Sequence, residues 1–419
     1  MYIDSIALAS FRTFQKTQVH FVHPDQDYKR KDGINVPRPK LRNVNLLLGN
    51  NGAGKTTLLK AIAIAALGPA VGDANLPIYR IIRREKGANP YRHSKEATVQ
   101  ATFTPHAQDG FGSSFSYGTL ESSATIVRKG DIERLSWTHT DEKQWHPIFS
   151  SENEAFFFVG YGATRRVESR ERVDMAARQV SSLGRALRIR SLFEESYSLM
   201  PFSVWLPRFE TGNKGRFIQV KGLVNLLLKN TGYSFTGARE AGEYLFEKGG
   251  LKVPFQALSD GYRGYLGWIS DLLYHICETC PSGKKLVENK GIVMVDEIDL
   301  HLHPKWQLTV LPTLSRALPN IQFIVTSHSP LIVGSLEWMN IIVMAPGPQA
   351  SSQAVRIPSA VHGLDADQVL LTDFFGLQST RAAGKKRTLK ELTLKARYGD
   401  DAATKQLLQE MSRGVEEAA

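Results

Sequence analysis

Apolar residues fall in short runs along this chain, and the period of each run names an element. Tyr2-Ile-Asp-Ser-Ile-Ala-Leu8 alternates and predicts an opening strand, and residues 17–21 predict a second. Between Gly33 and Lys40, a glycine, two prolines and several charges mark an exposed loop. Val44-Asn-Leu-Leu-Leu48 is a compact apolar run, the pattern of a strand buried on both faces. Just after it the period lengthens, and Leu58, Leu59, Ile62, Ala65 and Ala66 read as a helix. Residues 97–103, 123–128, 133–137 and 155–161 read as strands, with Lys129-Gly130-Asp131 turning between the middle two. Helix is predicted over 170–200 and 222–229, and over a longer stretch, 259–280. Residues 291–295 and 321–325 are again buried-strand runs, separated by a helix over 304–318 with Pro304 at its first position. Residues 341–344 predict one more strand, and the remainder reads mainly as charged helix. Strands alternating with helices place the chain in the α/β class.

Composition narrows the setting. The chain has 419 residues, 42% of them hydrophobic and 22% charged, which suits a soluble protein with a sizeable core and two or three folding units. No run of about 18 apolar residues predicts a membrane span. The first residues lack the basic start and apolar stretch of a secretion signal. With Cys277 and Cys280 as the whole cysteine complement, a disulfide framework is excluded and a cytoplasmic setting is expected. The net charge of +11 is patterned, because basic residues concentrate in 28–42, 80–95, 165–190 and 381–397. Such stretches attract polyanions such as nucleic acid, or an acidic protein partner, or serve only as solvated surface.

The chemistry begins at Gly49-Asn-Asn-Gly-Ala-Gly-Lys-Thr56, which fits G-x-x-x-x-G-K-[ST] between a buried strand and a helix. Backbone N–H groups across Asn50, Asn51, Gly52, Ala53 and Gly54 can curl around a phosphate at the positive end of the helix that Lys55, Thr56 and Thr57 begin. Lys55 would reach the β- and γ-phosphates of ATP, and Thr56 would offer its hydroxyl to Mg²⁺. Downstream, Gly291-Ile-Val-Met-Val-Asp-Glu297 ends a buried strand in two carboxylates. Asp296 is placed to hold the Mg²⁺ shell, and Glu297 to orient and deprotonate an attacking water. These eight phosphate-loop residues and two carboxylates are the candidate nucleotide, metal and catalytic groups.

Three further motifs carry a resemblance. Leu258-Ser-Asp-Gly-Tyr262 resembles the ABC signature Leu-Ser-Gly-Gly-Gln, departing from it at Asp260 and Tyr262. Asp296-Glu-Ile-Asp-Leu-His-Leu-His-Pro304 resembles a Walker B plus D-loop, and Ile321-Gln-Phe-Ile-Val-Thr-Ser-His-Ser-Pro330 a switch-histidine strand. The chain thus resembles the ABC-type ATPase heads of the SMC, RecF and overcoming-lysogenization-defect group over residues 1–345. The fold this implies is a P-loop NTPase of ABC-ATPase type. Its nucleotide-binding core would comprise 1–165 and 291–345, with a β-rich lobe, a helical signature lobe over 166–290 and a helical segment over 346–419. The resemblance also makes His328 a catalytic switch and places Arg12 of Phe11-Arg-Thr-Phe14 near the nucleotide. Ser259 and Gly261 would contact the γ-phosphate bound by a second subunit, so the working form would be a head-to-tail homodimer or higher even oligomer. Independently, Ser259 is expected to cap the 259–280 helix with its hydroxyl.

Weaker signals remain open at this level. Arg165 or Arg166 could serve a phosphate or a partner, and Gln100 is a candidate Q-loop glutamine. Cys277-x-x-Cys280 reads better as two helix-end thiols than as zinc ligands, because no second pair exists. Asp365-Ala-Asp367 has the spacing of a nuclease metal pair but stands alone. Too few residues follow His328 for a fused nuclease, so the chain resembles most the stand-alone ATPases of bacterial anti-phage modules, such as the Septu-type ATPase. That implies a separate nuclease or other effector. A RecF-like DNA-repair clamp without a nuclease is the alternative.

Overall fold

The computed structural model describes residues 1–26, 38–73, 76, 78–84, 93–109, 118–130, 132–139, 145, 157–167, 184–380 and 383–412. They form two compact units, Met1–Gly363 and Leu364–Ala419.

A six-stranded sheet organises the first unit. Its order is Ser351–Val355, Ile341–Gly347, Val44–Leu48, Ile321–Ser327, Gly291–Val295 and Phe157–Tyr161, all parallel except the first. The unbroken apolar runs follow from this, since Val44–Leu48, Gly291–Val295 and Phe157–Tyr161 are buried at every residue. Register aligns the strand ends: Val295 lies opposite both Val325 and Tyr161, and Leu48 opposite Ser327. The loops leaving these strands therefore emerge together at the carboxyl edge, where open parallel sheets bind ligands.

A second sheet of five antiparallel strands has the order Phe14–His20, Tyr2–Phe11, Glu96–Thr104, Leu120–Lys129 and Ile132–His139. Its strands alternate in burial, as Glu96–Thr104 does, because one face covers the core. The helix Lys55–Leu67 lies beneath it and is buried almost all round. Ser122 Oγ and Trp137 Nε1 from this sheet donate to Ala65 and Ile64 carbonyls at 2.8 and 3.2 Å.

Several expectations are corrected here. The predicted helix over 170–200 is, among described residues, two single turns (Gly184–Leu187 and Arg190–Phe193) and a strand, Ser198–Leu199. Pro201 disfavours helix in the residue before it, and Ser198–Leu199 pairs instead with Arg166–Val167. The helix over 304–318 breaks into Pro304–Gln307 and Val310–Ala317. Pro312 has no N–H to give Leu308, and its ring crowds that carbonyl. The region 166–290 is not purely helical. Beside the helices Phe202–Gly212, Lys214–Leu228 and Asp260–Thr279 it holds a three-stranded sheet, Ser234–Glu240, Glu243–Lys248 and Leu251–Pro254, against which the first two pack. Phe202, Trp205, Phe235, Tyr244 and Phe246 fill its interior. The first unit also runs past residue 345, because Ser351–Val355 pairs antiparallel with Ile341–Gly347.

The second unit contains helices Ala366–Leu371, Ala383–Arg397 and Asp401–Ser412. Asp365 caps the first of these in a reciprocal box with Gln368, which accounts for the Asp365-Ala-Asp367 spacing without a metal. Much of the basic stretches 28–42, 80–95 and 165–190 lies outside the described residues. Of the part described, Arg83, Arg185 and Arg188 are buried, and Arg83 donates to Thr13 and Gln349 carbonyls at 2.8 Å. That portion of the formal charge faces inward.

Candidate nucleotide-binding site

Four loops meet at the carboxyl edge. The first leaves Leu48 and turns through Gly49–Gly54 into the helix at Lys55. Gly54 takes a φ of +100°, and a Cβ there would stand 2.6 Å from Thr13 Oγ1 and 2.7 Å from Phe14 Cζ. The Phe11-Arg-Thr-Phe14 turn therefore abuts the phosphate loop, and only glycine fits between them. Gly52, at φ +77°, meets nothing within 4 Å, and Asn50, Asn51 and Gly52 are exposed. Ala53 is half-buried, and Thr57 is buried within the helix.

Lys55 is only 6% exposed. Its ammonium donates to the Gly49 and Asn50 carbonyls at 2.8 and 3.2 Å and to His328 Nε2 at 2.7 Å. Burial lowers the Lys55 pKa, against the carboxylates of Asp296, Glu297 and Asp299. Burial and then the Lys55 charge lower that of His328, which favours the neutral ring that can accept this hydrogen bond. Lys55 and His328 are thus in direct contact.

Asp296 is buried and satisfied on both oxygens: Thr56 Oγ1 donates to Oδ2 and Thr326 Oγ1 to Oδ1, each at 2.6 Å. Thr326 Oγ1 also accepts from Glu297 N at 2.7 Å. Glu297 has φ +48°, a left-handed conformation that costs a non-glycine residue on the order of 1–3 kcal/mol. Arg165 reaches in from the loop after Tyr161 and donates to the Asp296 and Glu297 carbonyls at 2.5 and 2.9 Å. Burial lowers its pKa to about 10.

Glu297, Asp299, Leu300, His328, Asn50 and Asn51 line one open cleft. Asp299 Oδ1 is buried there with no hydrogen-bond partner among the described residues. An open glycine loop, a lysine, a threonine–aspartate oxygen pair and an unsatisfied carboxylate oxygen together suit a polyphosphate with a hard divalent cation. Among the described residues no three acidic, histidine or cysteine side chains are arranged to hold a metal ion by themselves. Thr56 and Asp296 are the residues that would hold a cation together with the phosphates.

The signature residues lie elsewhere. Ser259 stands at the N-cap of Asp260–Thr279, but its hydroxyl makes no capping bond, contrary to expectation. Asp260 is exposed and pairs with Arg263. A Cβ on Gly261 would lie 2.6 Å from the His301 carbonyl oxygen, so this glycine allows the D-loop its close approach. Tyr262, where the common motif has glutamine, is a packing residue. Its ring sits edge-on to Trp306 at 4.2 Å, and its hydroxyl donates to the Thr231 carbonyl at 2.7 Å. Neither Ser259 nor Gly261 lines the Glu297–His328 cleft.

Arg12 is brought to the flank of the phosphate-loop helix, where its guanidinium donates to the Tyr79 carbonyl at 3.3 Å. It does not line the cleft either. Gln100 lines a separate groove beside Ser351–Val355. Cys277 and Cys280 are free and buried, and Cys280 Sγ accepts from Arg216. His303 caps a helix turn, with Nδ1 accepting from Lys305 N. Sequence reasoning missed Thr326 and the inward role of Arg165. The first leaves a faint signal, a hydroxyl residue inside an apolar run.

A family described as "AAA domain" matches residues 5–156, and "AAA domain, putative AbiEii toxin, Type IV TA system" matches 206–334. The chain is 23% identical over 406 residues to the "Retron Ec83 probable ATPase" of Escherichia coli, covering 82% of this chain and 74% of that one. It is 24% identical over 383 residues to "Septu protein PtuA" of Bacillus mycoides, covering 90% of this chain but 45% of the relative. The chain thus spans less than half the length of that PtuA. Among solved structures, an SMC head bound to the winged-helix domain of ScpA aligns with a TM-score of 0.51 at 14% identity, covering 85% of this chain and 98% of that one. At that identity the likeness speaks for fold alone. Fold, motif order and relatives converge: the chain has the SMC-like, ABC-type P-loop ATPase fold and is similar in sequence to the Septu and retron ATPases.

Proposed function

We propose that two copies of this chain bind two ATP molecules with Mg²⁺ between them, head to tail, and that hydrolysis regulates a separate effector in an anti-phage system. The observation that carries the hydrolytic reading is the Thr56–Asp296 oxygen pair, 2.6 Å apart, with the next residue, Glu297, lining a cleft it shares with Asn50, Asn51 and His328. Lys55 and the loop amides would bind the β- and γ-phosphates. Bound Mg²⁺ would neutralise charge developing on the phosphates, held by Thr56 and Asp296. Glu297 would orient the attacking water and take its proton, while neutral His328 would accept a hydrogen bond near the γ-phosphate. Ser259 and Gly261, which stand apart from this cleft, would complete the cleft of the other copy. The cysteine complement supports a cytoplasmic setting.

Glu297→Gln tests the base. The amide cannot accept the proton while Asp296 is untouched, so ATP binding should persist and turnover should fall by roughly 10²–10⁴. Turnover within threefold of wild type in a coupled phosphate-release assay sinks the assignment.

The retron and Septu names of the relatives support an effector partner. Co-purification with the products of adjacent genes, with and without ATP, should recover that partner, a nuclease in this reading. If none is retained in either state, the regulatory role fails. The basic stretches support sequence-tolerant nucleic-acid binding, which filter binding checks through its salt dependence, about −0.9 in log K against log salt per phosphate contacted. No affinity at low salt with ATP present refutes it.

A further inference from the structure

We propose that Arg165 is a positioning residue for Glu297, its guanidinium fork fixing the left-handed turn that presents the Glu297 carboxylate. This inference rests on the hydrolytic reading of the site for its effect on turnover, though not for its effect on the backbone.

The placement starts with strand register. Tyr161 lies opposite Val295, and the Asp296 N–H donates to the Tyr161 carbonyl at 2.8 Å. The loop that follows Tyr161 is held down at once. A Cβ on Gly162 would stand 2.3 Å from the Ser191 carbonyl oxygen, and the Gly162 N–H donates to Ser191 Oγ at 3.3 Å. Arg165 therefore springs from a pinned turn beside the end of the carboxylate strand. One terminal nitrogen meets the Asp296 carbonyl and the other the Glu297 carbonyl. A planar fork is the side-chain shape that holds two successive carbonyls at once.

The turn needs such a hold. Glu297 is a non-glycine residue at φ +48°, and a carboxylate is required at a position whose backbone favours glycine. Thr326 grips it from the other side, accepting from Glu297 N through Oγ1 and from Ile298 N through its carbonyl at 2.7 and 2.9 Å. Thr326, on one neighbouring strand, and Arg165, in the loop after the other, thus hold the donors and acceptors of one turn. Both terminal nitrogens of Arg165 are committed to this backbone, which sets it apart from an arginine waiting for phosphate. Burial lowers the Arg165 pKa, and the Asp296, Asp299 and Glu297 carboxylates oppose that shift.

Arg165→Ala and Arg165→Lys in the full chain test this, using steady-state ATP turnover and hydrogen–deuterium exchange over 296–300. Arg165→Ala should lower kcat tenfold or more, leave KM within threefold, and speed exchange at Glu297 and Ile298. Arg165→Lys keeps the charge and loses the fork, so it should remain impaired, and it carries the test if the alanine variant does not fold. In a Glu297→Gln background, adding Arg165→Lys should change the residual turnover less than twofold, because both changes act through one carboxylate. Full activity in Arg165→Lys, or unchanged exchange over 296–300 in both variants, overturns the proposal. A wild-type chain without turnover would break the hydrolytic reading alone, and exchange would still decide the role of Arg165.

Discussion

The two loops proposed to bind phosphate are of opposite character. The phosphate loop is wired into its own subunit. Lys55 bonds two carbonyls of the loop and His328, Thr56 bonds Asp296, and Gly54 is packed under Thr13 and Phe14. The signature loop is built the other way. Its backbone side is locked, with Gly261 against His301 and Tyr262 against Trp306, yet Ser259 leaves its hydroxyl outside the cap and Asp260 stands in solvent. The first loop is complete by itself, whereas the second has a rigid back and an unfinished front. Such a pair suits two copies that lend each other the missing half.

One measurement, nucleotide affinity of a dilute and monomeric chain, separates the two. Lys55→Ala should show the larger effect. It removes the one cation bonded within the loop, and charge-assisted bonds of about 1.5–3 kcal/mol predict a roughly ten- to hundredfold loss of affinity in a fluorescent-nucleotide titration. Normal affinity there would discredit the phosphate loop.

Ser259→Arg should leave that same affinity within threefold, while blocking ATP-driven association in ultracentrifugation. Mixing it with Glu297→Gln sharpens the contrast, because one composite cleft of the mixed dimer keeps both intact halves and should regain part of the turnover. Turnover per chain that stays constant on dilution to clearly monomeric conditions would contradict shared clefts.

The two loops were also unequally legible. Gly49–Thr56 is defined by residue types at fixed spacing, and the strand and helix on either side are strongly patterned, so its place follows from local sequence. Asp296 and Glu297 are equally local, because they end a wholly apolar strand. Arg165 was invisible as a clamp. Its partners lie about 130 residues away in sequence, and they are carbonyls, which every residue has. The same distinction holds for strands. The run at 155–161 sits in sequence beside the alternating strands of the β-rich lobe, yet it lacks their alternation, and its described part, Phe157–Tyr161, is buried on both faces and pairs with Gly291–Val295. Where a helix over 304–318 was expected, Pro312 held the contrary signal. Apolar periodicity runs through it, but the missing N–H decides the local backbone.

The turn at Glu297 has one more consequence. Natural chains are foldable because each local preference agrees with the global structure, and nearly every strand of the central sheet obeys this. Glu297 does not, since its backbone geometry and its side-chain chemistry ask for different amino acids. The site is therefore a small island of frustration in an otherwise consistent sheet. Its conformation is borrowed from Thr326, on one flanking strand, and Arg165, in the loop after the other, and is not its own local minimum. Selection for greater stability and selection for the carboxylate pull this single position in opposite directions.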